Sequence, residues 1–148
     1  MPTSRVDKFY RSLFRKVERE FGAVEPETRT SIIGFDAGGP VSFLKVAGKP
    51  VYATCELSQY RDQVRSADGI KFEFLARMRI DEDEISGLFT GLGNLSRQAR
   101  LGDGHTIDVS GLSGITRLKI VSLKLYSTSR IGLRRYGVYE VVRASGTS

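Results

Sequence analysis

A chain of 148 residues with 40% hydrophobic and 27% charged residues is long enough to bury one core, and this composition excludes global disorder. A single cysteine excludes an internal disulfide framework, and together with a single histidine it leaves too few ligands for a structural zinc site. Basic residues outnumber acidic ones by 23 to 17, which can mark a nucleic-acid, membrane or acidic-protein partner, although a modest excess of this kind is more often a solvated basic face.

The sequence also argues against a membrane protein. Its amino-terminal segment is charged throughout, unlike a secretory signal, and no stretch approaches the roughly 18 apolar residues of a membrane span. We therefore expect a cytoplasmic protein without a membrane partner. The sequence leaves its oligomeric state open.

The first predicted element is a helix over residues 4–21. Phe9, Leu13 and Val17 repeat at helical spacing, and further apolar residues widen the same stripe. Gly22 is the residue type that ends helices in the left-handed conformation. We expect the stripe to pack on a sheet, with a polar linker over residues 22–30.

A run of β-strands is predicted next. Short apolar runs bounded by glycine and proline turns indicate strands over residues 31–35, 41–46 and 50–57. After a polar loop, a fourth strand is predicted over residues 70–80. Phe72 and Phe74 share one of its faces, whereas Glu73 and Arg77 share the other, which predicts one buried face and one face largely in water.

A second helix is predicted over residues 82–100, with Asp81 as its N-cap. Gly87, Gly91 and Gly93 lie inside it and weaken it, so they indicate either close packing against the sheet or a break near Gly91. The sequence leaves both possibilities open.

Two or three more strands complete the chain. They are predicted over residues 106–112, 116–127 and 136–144. The apolar pattern changes parity between Ile120 and Val121, which predicts a bulge or a strand buried on both faces. The fold class is therefore α+β, a mixed α/β sandwich whose largely antiparallel sheet of five to seven strands carries two main helices. We expect one domain over residues 1–148 with an α/β core over residues 31–144.

Cys55 and His105 are the residue types of a nucleophile and its base, and Asp103 or Asp108 could orient the imidazole. That combination would make a Cys/His hydrolase. Cys55 lies in an apolar β run, however, where a cysteine usually behaves as a small buried hydrophobic residue. The pattern favours a structural cysteine over a catalytic one.

The acidic run at residues 81–84 has the ligand chemistry of a hard cation site. Four consecutive carboxylates on a helix start point in different directions, and the helix dipole already explains them. The glycine-rich segments match neither a Walker loop nor a dinucleotide fingerprint. We therefore predict no catalytic residue, no cofactor and no metal.

The basic stretch "YSTSRIGLRRYGVY" is the main candidate for binding. Arginines among tyrosines suit a phosphate backbone with stacked bases, and they are also common anchors of protein interfaces. The same letters are typical of the tip of a β-hairpin. The residues concerned are Tyr126, Arg130, Arg134, Arg135, Tyr136 and Tyr139.

The segment "PVYATCELSQ…SADGIKFEFLARM" resembles the suppressor-of-fused-like domain family. Thr54, Leu57 and Ser58 match its Thr-x-x-Leu/Met-Ser pattern, and Glu73 matches the acidic residue of the following strand. The resemblance covers roughly residues 33–142. It implies an α/β sandwich without catalytic residues that binds another protein: animal members sequester a transcription factor, and bacterial members look like immunity proteins that neutralise toxins. It also implies that Ser58 holds a turn and that Glu73 faces solvent or the partner.

The leading hypothesis is a non-enzymatic protein-binding domain, such as a bacterial immunity or regulatory protein with a toxin as its partner. The first alternative is a nucleic-acid-binding domain that uses the basic stretch, and the second is the Cys/His hydrolase. The candidate protein-binding residues are Tyr60, Arg61, Arg65, Glu73, Arg134, Arg135 and Tyr136.

Overall fold

A computed structural model describes residues 5–25, 29–35, 39–55, 57–59, 63–112, 115 and 118–144. Its elements are two helices and a mixed sheet, which confirms the predicted α+β fold class. They are α1 (Arg5–Phe21), β1 (Arg29–Phe35), β2 (Gly39–Lys45), β3 (Val51–Thr54), a single 3-10 turn (Leu57–Gln59), β4 (Lys71–Arg77), α2 (Glu82–Leu95), β5 (Thr106–Asp108), β6 (Ile120–Ile131) and β7 (Arg134–Arg143).

The described strands form one seven-stranded sheet in the order β1-β2-β3-β4-β7-β6-β5. Neighbouring strands are antiparallel except for β4 and β7, which are parallel. The sheet therefore consists of two antiparallel meanders joined along one parallel seam. No described helix is long and apolar enough to cross a membrane.

Helix α1 packs on one face of the sheet. Its stripe of Phe9, Leu13 and Val17 is buried, and the ring of Phe9 stacks on that of Tyr136 with 5.1 Å between centroids. The helix ends as predicted, because Gly22 adopts a φ of 116° and its N–H donates to the Glu18 carbonyl at 3.0 Å. The sheet residues in this cluster are Val46, Val51, Ala53, Leu75, Tyr136 and Val138.

Helix α2 packs on the opposite face, where Phe89 meets Phe43 edge-on at 5.5 Å between centroids. It ends at Leu95 rather than at residue 100: the chain continues in turns, and the Ser96 carbonyl accepts the Val64 N–H at 2.7 Å instead of a helical N–H. The helix is continuous through Gly91, which removes the alternative of a break there. At Gly91 itself, an added Cβ would overlap the side chain of Leu112, which lies in a loop.

Strand β4 is buried on both faces, and the prediction of one wet face is wrong. Phe72 and Phe74 belong to the cluster under α2, whereas Leu75 belongs to the cluster under α1. Glu73 is enclosed as well, because its carboxylate lies against Thr54 and the turn at Leu57–Gln59. Only Arg77, at the end of the strand, is exposed among its described residues.

The predicted bulge exists in β6, but it lies between Leu125 and Ser127 rather than between Ile120 and Val121. Ile120 is 37% exposed at the strand end, so a change of parity there requires no bulge. The extra residue, Tyr126, turns towards α1 and stacks on Phe21 at 6.4 Å between centroids. Strands β6 and β7 form the expected hairpin, which turns through Gly132 at a φ of 64°.

Candidate functional site

The Thr-x-x-Leu-Ser pattern builds the end of a strand. Strand β3 stops at Thr54, whereas β4 extends further, so residues 71–73 pair with β7 on one side but have no described strand on the β3 side. The Thr54 hydroxyl replaces a backbone hydrogen bond between the two strands. Its Oγ1 accepts from the Phe74 N–H at 2.8 Å and donates to Glu73 Oε1 at 2.8 Å. These contacts close the gap between the two strands.

Glu73 holds the 3-10 turn that follows. Its carboxylate accepts the backbone N–H of Leu57 at 3.0 Å and that of Ser58 at 2.7 Å. Burial raises the pKa of the Glu73 carboxyl, and the hydrogen bonds from Ser58, Thr54 and Leu57 partly oppose that rise. Glu73 is 1% exposed, so the expectation that it faces solvent or a partner is wrong.

The polar loop continues this pattern with Gln63. Its amide nitrogen donates to the Phe72 carbonyl at 2.8 Å, and its amide oxygen accepts from the Phe72 N–H at 3.1 Å. A side-chain carboxamide thus occupies the place of a neighbouring peptide group on β4. Of the loop residues proposed for binding, Arg65 is exposed, and Tyr60 and Arg61 lie outside the described residues.

Cys55 and His105 occupy different environments. Cys55 is buried directly after β3, whereas His105 is exposed directly before β5. In the acidic run, Glu84 is buried and its Oε2 accepts the backbone N–H of Leu118 at 3.0 Å. That carboxylate anchors the connection to β6. No group of three or more His, Cys, Asp or Glu residues in the described part of the chain is placed to hold a metal ion.

The basic stretch of β6 and β7 divides between surface and core. Arg134 and Arg135 are exposed beside the turn, where Leu133 is 95% exposed. Tyr136 is only 3% exposed beneath α1, so its proposed role as a binding residue on the surface is wrong. The two tyrosines of β7 lie on opposite faces of the sheet, and a helix layer covers each face.

Tyr139 ties two loops to the sheet. Its hydroxyl hydrogen-bonds to Ser66 Oγ at 2.7 Å and to Asp68 Oδ2 at 2.5 Å. Burial, and next the contact with Asp68, raise the pKa of this phenol well above its ordinary value. Asp68 in turn accepts the backbone N–H of Asp103 at 3.3 Å. The cluster is a structural bridge rather than a cleft.

An open groove of about 480 Å³ lies between α1 and β6, and we call it the basic groove. Three of its arginines recur every four residues along α1, so they form one row with steps of about 6 Å. Hydroxyl side chains of β6 form the opposite wall. The lining residues are Arg11, Ser12, Arg15, Lys16, Arg19, Ser127, Thr128 and Ser129.

The charges in the basic groove are mostly uncompensated. Lys16 pairs with Glu20 at 3.6 Å, and Glu20 also accepts from the Tyr126 hydroxyl. Among the described residues, no carboxylate forms an ion pair with the three arginines of the row. An anionic group entering the groove would therefore find three cations that no described carboxylate pairs with.

The basic groove was missed in the sequence, although a signal was present. Arg11, Arg15 and Arg19 flank the apolar stripe at a spacing of four, which places them together on a helix. What the sequence does not show is that α1 lies beside β6. Without that neighbour, the row resembles an ordinary solvated helix face.

No family model matches this chain, and comparisons with curated proteins and with solved structures return no match.

Proposed function

We propose that this chain is a non-enzymatic protein-binding domain whose basic groove receives an acidic surface of its partner. The observation that carries the proposal is the row of arginines along α1, which is open to solvent and forms no ion pair with a described carboxylate. Arginine is enriched at the energetic centres of protein interfaces, and charge complementarity selects partners and speeds association.

The use of the buried polar groups supports a binding role. Glu73, Gln63 and Tyr139 are the residue types that could act as acids, bases or ligands, and each is engaged in holding a loop against the sheet. The basic groove itself presents cations and hydroxyl groups, which suit the binding of an anionic surface.

The resemblance to the suppressor-of-fused-like family adds a biological setting to the proposal. Bacterial members look like immunity proteins, so a toxin with an acidic face would be a suitable partner. In that setting the basic groove would cover the acidic face of the toxin and keep that face from contacting the target of the toxin.

The test is affinity capture with the purified protein. We expect the double variant Arg11→Glu/Arg15→Glu to lose its partner, with affinity reduced about tenfold or more, because two attractive charges become repulsive. The matched control is Arg79→Glu/Arg100→Glu, which makes the same change at exposed positions outside the groove. Equal retention of the partner by both double variants would contradict the proposal.

Binding of nucleic acid is a second candidate, favoured by the same charges together with exposed Arg130, Arg134 and Arg135. Tyr136 and Tyr139 are buried and therefore unable to stack on bases, which leaves a phosphate-only mode. Such binding should weaken steeply with salt and disappear after nuclease treatment of the captured material. A nuclease-resistant complex of defined protein composition would dismiss it.

A further inference from the structure

Strand β6 has an edge that the rest of the described chain leaves open. Strand β7 lines one side of β6 along nearly its whole length, whereas β5 lines the other side only at residues 120–122. The loop before β5 then bonds to Leu123 through Gly104 and His105, and Asp103 accepts from Leu125. Beyond the bulge, no described residue pairs with the outer edge of residues 127–131.

The hairpin geometry shows which groups point outwards from this edge. Ile131 and Arg134 flank a two-residue turn, so this pair exchanges both of its hydrogen bonds within the hairpin. Pairs alternate along the strands, and the backbone N–H and C=O of Arg130 and Thr128 therefore point away from β7. Both residues are exposed, so their peptide groups are open to a further strand.

Residues 127–129 of the open edge also line the basic groove. Ser127 and Ser129 pair with Val138 and Tyr136, which face α1, so these serines face the helix as well. Helix α1 also follows the strand: Phe9 stacks on Tyr136 near the hairpin tip, and its last residue stacks on Tyr126 at the bulge. The arginine row of α1 thus runs beside the open edge of β6.

We propose that the partner inserts an extended acidic segment into the basic groove, where it adds as a strand to the edge of β6 at residues 127–131. This inference rests on the proposed function and names the part of the partner that is recognised. The backbone of the segment pairs with Thr128 and Arg130, and every second side chain is an aspartate or glutamate that meets an arginine of α1.

The spacing of the two rows supports this alternation. An extended strand advances about 6.8 Å for every two residues. The arginine row of α1 advances about 6 Å for every four residues of helix. Three acidic side chains at alternate positions therefore match Arg11, Arg15 and Arg19 with a small drift, whereas consecutive acidic residues would direct half of their charge away from the helix.

The open peptide groups also decide between classes of occupant. A strand edge offers donors and acceptors in the repeat of a polypeptide backbone, and an added strand satisfies both. A nucleic acid presents acceptors along its backbone but no matching row of donors, so it would use the arginines and leave the edge carbonyls unsatisfied. An extended acidic peptide uses both features of the site.

The first experiment compares two synthetic peptides of the same composition by fluorescence anisotropy. One alternates glutamate with threonine over roughly eight residues, and the other carries the same glutamates in one block. We expect the alternating peptide to bind about tenfold more tightly, and Arg11→Glu/Arg15→Glu to abolish the difference. Equal binding of the two peptides would overturn the inference, and so would tighter binding of a single-stranded oligonucleotide of equal charge.

The second experiment separates strand addition from attraction between charges. Thr128→Pro removes an outward N–H at an edge position that tolerates proline, and Thr128→Val keeps that N–H as the matched control. We expect about tenfold weaker peptide binding for the proline variant only. A second test keeps the protein unchanged and N-methylates the peptide at alternate residues, which removes the N–H groups that would pair with β6. The control is the isomer methylated at the intervening residues, whose N–H groups point away from β6.

The outcomes distinguish this inference from the proposed function. If the captured partner depends on Arg11 and Arg15 while neither Thr128→Pro nor N-methylation changes binding, strand addition is wrong and the protein-binding function stands. If no captured partner depends on Arg11 and Arg15, the proposed function is wrong. Peptide binding that still depends on Thr128 would then show that the edge of β6 accepts a strand without help from the arginines.

Discussion

At the scale of single residues, the burial of Glu73 makes the stability of the fold depend on pH. The pKa of its carboxyl lies above the ordinary value of 4.5, so the folded state holds this proton more tightly than the unfolded state does. The contribution to stability is therefore fully present below pH 4.5 and is lost as the pH rises through the folded pKa. Above the folded pKa, Glu73 is ionised in both the folded and the unfolded state, and it no longer makes the free energy of unfolding vary with pH.

This sign gives a prediction for Glu73→Gln. Glutamine has the shape of the neutral carboxyl and cannot ionise, so we expect Glu73→Gln to remove the part of the stability that varies with pH. The free energy of unfolding of the variant should therefore gain on that of the native protein as the pH rises through the folded pKa, because only the native side chain becomes an enclosed charge. Urea unfolding of both proteins across this range measures it. A difference that is constant with pH would show that Glu73 titrates normally.

At the scale of elements, Gly137 permits β7 to lie close to the loop before β4. A Cβ at this position would overlap the tip of the buried Ile70 side chain and approach the Ser127 carbonyl at 3.2 Å. We expect Gly137→Ala to lower the free energy of unfolding by about 1–3 kcal/mol, because the surrounding core has little room to move. Thermal and chemical unfolding measure the loss.

The matched control for Gly137 is Gly111→Ala. No atom lies within 4 Å of a Cβ added at Gly111, so the added methyl should change stability by no more than about 0.5 kcal/mol. Equal effects at the two positions would mean that the packing against Ile70 is not what requires glycine.

The elements also show what the sequence could predict. Both helices and the strands were predictable because apolar residues with a period of 3.6 or 2 have to be buried. The same pattern misplaced Glu73 and Tyr136, because alternation does not tell whether a polar face meets water or a second layer. The bulge and the end of α2 coincide with contacts between residues far apart in sequence, which the pattern does not show: Tyr126 stacks on Phe21 of α1, and the Ser96 carbonyl accepts the Val64 N–H.

The candidate site was harder to predict than the fold. The exposed arginines at the hairpin tip were predictable from their turn context, and both are on the surface. The basic groove was not, because it exists only where α1, β6 and the open strand edge come together. A sequence shows the arginine row and the serines separately, and only the topology places them on two walls of one groove.

At the scale of the whole molecule, the two meanders meet at the pair of β4 and β7, and a two-pronged ion pair fastens this seam. Arg77 Nε donates to Glu140 Oε2 at 2.7 Å, and its Nη2 donates to Oε1 at 2.8 Å. The guanidinium is about half exposed, with 47% of its side-chain surface accessible, whereas the carboxylate side chain is 8% accessible. Phe21 lies against the guanidinium at 5.4 Å from the ring centroid.

Removing the cation should therefore cost more than an ordinary surface ion pair. We expect Arg77→Ala to lower the free energy of unfolding by about 1–3 kcal/mol, because it leaves an enclosed carboxylate without its partner. Arg77→Lys should recover part of the loss, since lysine restores the charge but not the two parallel hydrogen bonds of the guanidinium. Arg79→Ala, at an exposed position two residues away, is the control and should stay within about 0.5 kcal/mol of the native protein.

The parallel seam also has a consequence for the order of folding. Arg77 and Glu140 are 63 positions apart, whereas the longest connection within either meander, over residues 55–70, is much shorter. Contacts of long sequence separation form slowly, so we expect the meanders to assemble before they dock. Before the meanders dock, the strand edges at which β4 and β7 pair would both be uncovered. Edge-to-edge association between chains would then compete with docking. Refolding yield should therefore fall with protein concentration.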